Sequence, residues 1–248
     1  VYICGVVYWF LYRESGYDVY FQGGLDIMIQ VLPYMFLVVL FISYEVFSQL
    51  NRTDTMELIS NRRICLKDQK YDLFILSIIV IFSGVVVWVS LRKHALALGY
   101  REKELDLYFA RVAILFVIMS EMIAVMAGWC ISAIKNRIIS ICSLLAVFYV
   151  FDTSFHQIIV GIDINSESFF KFGTLFTIFD TQKEGAITDN YYLMSVENTH
   201  FFRALFWLFL FCTILLAIDK KIIISLGSGV IAAVFLYLFF QPSGASYA

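Results

Sequence analysis

The sequence predicts an all-α polytopic membrane protein with six to seven transmembrane helices, and three observations predict it. Of its 248 residues 61% are hydrophobic and 15% charged, with a mean hydropathy of +0.82; soluble domains carry about 25% charged residues. Polar surface is therefore too scarce to cover a globule in water. Apolar runs also recur along the chain at lengths near the ~20 residues that a spanning helix needs. They are continuously apolar, without the short alternating segments of a transmembrane barrel.

Apolar runs bounded by charge place spans at 1–12, 26–47, 73–91, 107–132, 139–160, 201–218 and 222–240, all within a single transmembrane domain covering 1–248. The first, "VYICGVVYWFLY", is too short to cross a bilayer and reads as the end of an incomplete span. Without a charged leader or a small-residue cleavage site, it does not read as a signal peptide. Spans two and three are separated by a polar segment, 48–72, "SQLNRTDTMELISNRRICLKDQKYD". The longest connector, 161–200, is rich in Phe and Tyr. Its "FFKFGTLFTIF" is too short to span and fits either a re-entrant segment or an interfacial loop on the outer side. "IIISLGSGVIAAVFLYLFF" supplies the seventh run.

Lys and Arg set the orientation. The side holding 48–72, 133–138 and 219–221 carries nine, against seven on the other side. Arg52, Arg62, Arg63, Lys67 and Lys70 decide the balance and place the polar segment in the cytoplasm. Within it, "TDTMELIS" predicts a short helix. Thr53 or Asp54 can cap its first amides, and Glu57 can close a capping box. Met56 and Ile59 share a face with Leu58 beside them. Such a helix is either a solvated turn or a small docking element for a soluble partner.

This stretch resembles the permease subunits of ABC exporters, of the type-2 permease class. In that family the second span ends in an acidic residue and leads through a Gly-Thr-x-Glu-x-Leu-like core into a basic segment entering the third span. Here Glu45 holds the upstream acid, Thr55, Glu57 and Leu58 match the core, and Asp54 stands in place of the usual glycine. The resemblance covers about 30 residues. It implies that 53–60 is a coupling helix seated in a groove of a separate ATP-binding cassette ATPase, with Glu45, Arg52, Thr55, Met56, Glu57, Leu58, Ile59, Arg62 and Arg63 at that contact. ATP and Mg would be bound by the partner, and a second permease copy or a paralogue would complete the path. The family's outer segment between its fifth and sixth spans, which dips partly back into the membrane, corresponds in order to 161–200. Two features depart from the pattern: the seventh run, and the long basic connector 92–106.

Motifs for chemistry on this chain are absent. There is no G-x-x-x-x-G-K-[ST], H-E-x-x-H or G-x-S-x-G, and His94, His156 and His200 have no metal spacing. The expectation is a non-enzyme that holds no metal or cofactor of its own. Cys4, Cys65, Cys130, Cys142 and Cys212 are scattered and read as small core residues. A net charge of −2 gives no reason to expect nucleic acid.

Ionisable residues inside apolar runs carry the remaining signal, since a charge at mid-bilayer costs at least about 2.5–3.5 kcal/mol. Arg111 and Arg203 fall near outer ends, where snorkelling accounts for them. Glu121 is the most central; it makes either an interhelical hydrogen bond or part of a substrate or proton path. Asp152 and His156, at i and i+4, form either a local ion pair near the outer interface or a relay. These three define the alternative reading, an ion-coupled carrier or channel. Gly227, Gly229 and Ala233, with "AVMAG" at 124–128, suit close helix approach. The expected location is a bacterial plasma membrane.

Overall fold

The computed structural model describes residues 21–53, 62–97, 103–134, 136–151, 185–188, 191–193 and 198–240. Nearly all of them are helical. The helices are α1 (Phe21–Thr53), α2 (Arg62–Ala97), α3 (Lys103–Val112), a π-helical segment (Ala113–Met119), α4 (Ser120–Ser132), α5 (Arg137–Phe151), α6 (Asn198–Ile218) and α7 (Ile222–Phe240). A short antiparallel hairpin, β1 (Gly185–Thr188) with β2 (Tyr191–Leu193), falls in the 161–200 connector. The first run, 1–12, and "FFKFGTLFTIF" lie outside the described residues.

Among the described residues, four helical stretches are long and apolar enough to cross a membrane: Tyr71–Lys93, Asp106–Ser132, Phe201–Ile218 and Ile222–Phe239. Leu32–Ser48 and Arg137–Phe151 are shorter apolar helices. The second of these stretches joins α3, the π segment and α4, and 61% of it is buried, against 28%, 22% and 17% in the others. It is the central post of the bundle.

The distribution of side chains is that of a protein whose solvent is lipid. On α2 the outward stripe is Phe74, Ile78, Phe82, Val85 and Val89, whereas Val80, Ser83, Val87 and Leu91 face inward. Buried polar residues include Ser43, Ser90, Ser120, Ser140, Glu121 and Arg203. An aqueous fold would place the isoleucines and phenylalanines inside and the charges outside.

α1 presents Leu32, Phe36, Leu40, Tyr44 and Phe47 as one buried stripe at helical spacing, packed on α4. The two helices run parallel. Ser43 Oγ donates to the Val125 carbonyl at 2.7 Å, and one turn on Phe47 stacks on Trp129 with ring centroids 4.7 Å apart. Gly128 makes this closeness possible. A Cβ there would lie 2.7 Å from the Leu40 carbonyl oxygen and 2.9 Å from the Tyr44 nitrogen. Small residues at such crossings let backbones meet where no hydrophobic effect drives helices together. The small residues expected to pack on α7 do so less. Gly227 has open space beside it, Gly229 makes ordinary contact with Thr213, and Ala233 is exposed while Ala232 is buried.

Local chemistry sets the turns. The Asn136 side-chain oxygen accepts from the Ile138 and Ile139 amides at 2.9 and 3.3 Å and so caps α5. Asn136→Ala is expected to lower stability by about 1 kcal/mol, seen as an earlier unfolding midpoint in detergent. The α6–α7 turn closes with the Lys221 amide on the Leu216 carbonyl and the Lys220 amide on the Ala217 carbonyl. This is a Schellman closure with Lys220 at φ 60 where glycine is usual. Beyond it, α6 and α7 pack antiparallel, pinned by Ser225 Oγ to the Thr213 carbonyl and Ser228 Oγ to the Phe209 carbonyl.

Helix ends differ from the expected boundaries at both polar connectors. The segment 48–72 is not a free loop: α1 runs on to Thr53 and α2 begins at Arg62. Once a spanning helix exists, adding each further turn is cheap, and Gln, Arg, Lys and Leu are good helix formers. The basic connector 92–106 shortens for the same reason, because α2 continues to Ala97 and α3 starts at Lys103. Arg92 pairs with Asp106 across it.

Candidate functional site

The most unusual backbone in the bundle is the seven-residue π segment, Ala113–Met119, in the middle of its central span. π turns are uncommon and concentrate at functional positions. The widened helix pushes Ile118 against α2, where the partner is Gly84; a Cβ on Gly84 would overlap the Ile118 side chain. Where the π turns give way to α4, Ser120 folds its hydroxyl back onto its own helix, donating to the Phe116 carbonyl, with the Val117 carbonyl 3.2 Å away. Glu121 follows immediately.

Glu121 is 1% exposed and is met from α2 by Ser83, with Oγ and Oε2 3.1 Å apart. Ser83 also lies 2.7 Å from the Val80 carbonyl one turn back on α2. Cys130 Sγ approaches the Phe211 carbonyl of α6 at 3.5 Å, and α6 also packs on the π segment. Arg203 is only 2% exposed. The snorkelling expected for it is therefore wrong: α6 begins at Asn198 and carries Arg203 inward, among α6 neighbours such as Ala204 and Trp207. Arg111 is exposed. The site is the buried polar cluster of Ser83, Ser120 and Glu121 in the central span, with a further buried charge, Arg203, on neighbouring α6.

The other expected residues fare differently. Glu45 is half-buried on α1, and its carbonyl accepts from Ser48 Oγ at 3.1 Å. Arg52 lies in the last turn of α1, and Arg62 and Arg63 open α2; their side chains are outside the described set. Thr55, Met56, Glu57, Leu58, Ile59, Asp152 and His156 are also outside the described residues. Sequence reasoning missed Ser83 and Arg203. Serines are common in spans and Ser83 is 38 positions from Glu121; for Arg203, the charge itself was the available signal. Among the described residues no cluster of His, Cys, Asp and Glu could hold a metal ion.

No protein-family model, characterised protein or solved structure matches this chain.

Proposed function

We propose that this chain is the transmembrane permease subunit of an ATP-driven exporter, coupled through residues 53–60 to a separate ATPase that binds ATP and Mg. The supporting observation is the continuity of α1 and α2. Both leave their apolar stretches as unbroken helix, α1 to Thr53 and α2 back to Arg62, so eight residues (54–61) join two stiff arms. The α2 arm, Arg62–Lys70, is about 13 Å long at 1.5 Å per residue. A slack loop would absorb a push on 54–61; these arms carry it into the bundle. On α1 the push arrives where Gly128 holds backbone to backbone with α4, the helix that bears Glu121. A second permease copy or a paralogue would complete a path for an amphipathic or apolar cargo such as a peptide or lipid, in a bacterial plasma membrane.

Side-specific labelling tests the reading. In a cysteine-free background, Met56→Cys is expected to react with a membrane-impermeant maleimide only after cells are permeabilised. Equal labelling of intact cells would place the arms outside and end the proposal.

One observation favours a second reading, an ion-coupled carrier using Glu121 with Asp152 and His156. A fully buried carboxyl at mid-span beside π turns is costly to keep without a use. Transport that persists without any ATPase and fails in Glu121→Gln would select it.

A further inference from the structure

The π turns divide the central span between two neighbours. α1 closes on α4, through the Ser43 bond to Val125, the Phe47–Trp129 stack and the backbone contact at Gly128. α2 holds the other side. It pairs Arg92 with Asp106 of α3 and seats Ile118 of the π segment against Gly84. It packs mostly on α3 and the π segment, and less on α4, where Ser83 meets Glu121 in the first turn. α6 lies on α4, with lesser contact to the π segment. Residues 113–119 are therefore the stretch at which hold of the span passes from α2 to α1.

The backbone of that stretch is also the part of the span best able to bend. π turns bond residue i to i+5 in place of i+4, and helices kink at them. Each holds one residue more than the α turn it replaces, so the α-helices on either side keep their faces while the turn between them yields. Where the wide turns end, two carbonyls compete for one amide, and the ladder needs a further hydrogen. Ser120 supplies it: its amide goes to the Val117 carbonyl and its hydroxyl to the Phe116 carbonyl. Gly84 supplies the room, since a Cβ there would overlap Ile118.

We infer that Ala113–Met119 is the joint of the central span: α3 moves with α2, α4 moves with α1, and the π turns take up the difference. Ser120 is a positioning residue for that joint, because its hydroxyl holds the wide turns in place. The joint follows from packing and hydrogen bonding; that nucleotide drives it through the two arms rests on the exporter reading.

Double electron–electron resonance on the full chain in lipid nanodiscs tests it. In a cysteine-free background, spin labels go at Leu107→Cys on α3 and Ala133→Cys at the end of α4, both exposed positions. They lie up to about 39 Å apart along the span at 1.5 Å per residue. The otherwise unaltered chain is expected to give a broad distribution of distances. Deleting Ile114, an exposed residue of the π segment, removes the surplus residue and is expected to leave a single narrow distance. Ser120→Ala removes no residue and is expected to narrow the distribution likewise, so it decides the matter should the deletion fail to fold. A starting distribution as narrow as that of the variants, or variants as broad as the starting chain, would overturn the inference. If the breadth is present and lost as expected, but ATP added to the complex with its ATPase leaves the distances unmoved, the joint stands and the exporter reading falls.

Discussion

Gly128→Leu is expected to force α1 off α4. The new side chain would enter space already held by the Leu40 carbonyl, the Ser43 Cβ and the Tyr44 nitrogen, at 2.7, 2.9 and 2.9 Å from a Cβ. Backbone cannot rotate away as a side chain can, so α1 must leave α4. Overpacking of this kind costs about 1–3 kcal/mol in cores, and more where main chain is displaced; we expect at least about 3 kcal/mol here. The Ser43 bond to Val125 and the Phe47–Trp129 stack would go with it. Denaturant titration in detergent, followed by tryptophan fluorescence, reads the loss directly because Trp129 sits in the contact. Two other glycines serve as controls. Gly84→Ala overlaps the Ile118 side chain rather than main chain and should cost less, whereas Gly227→Ala meets open space and should be neutral or slightly stabilising. Equal effects at all three sites would contradict the packing described.

Lys67→Pro is expected to disconnect the α2 arm from its span without disturbing the membrane part. Position 67 is inside α2 but before the apolar stretch that starts at Tyr71. A proline there removes one helical hydrogen bond and clashes with the preceding turn, at about 3 kcal/mol or more. The ATPase should still bind, because 54–61 is untouched. Nucleotide-dependent change in the maleimide reactivity of Ser83→Cys, at the contact of α2 with α4, should fall by at least about tenfold, the rate equivalent of roughly 1.4 kcal/mol. Undiminished nucleotide response would show that the arms are not levers.

How far the sequence carried the account depends on the kind of signal. Apolar runs report the solvent of a helix, so the stretches 73–91, 107–132, 201–218 and 222–240 appear nearly as read. Ends are harder, because polar residues such as Arg62 and Lys67 suit helix and loop equally, and only the existing helix decides. The depth of a charge cannot be read from its distance to the end of an apolar run. Arg203 is three residues inside its run yet buried, because α6 starts earlier, at Asn198. Glu121 was legible as central, while its partner Ser83 was not, since register between helices is not written in either one. The π turns at Ala113–Met119 have no marker in "AILFVIM" that distinguishes them from ordinary helix.

The central claim is that the α1–α2 arms end in a foothold for a separate nucleotide-hydrolysing motor. Affinity purification of the tagged chain from its own cells in mild detergent tests this most directly. The account predicts that a nucleotide-binding ATPase follows the chain, and is lost when Met56 and Ile59 are replaced by glutamate. Purification of an intact, folded chain with no such ATPase, or with one that the two substitutions leave in place, would contradict it.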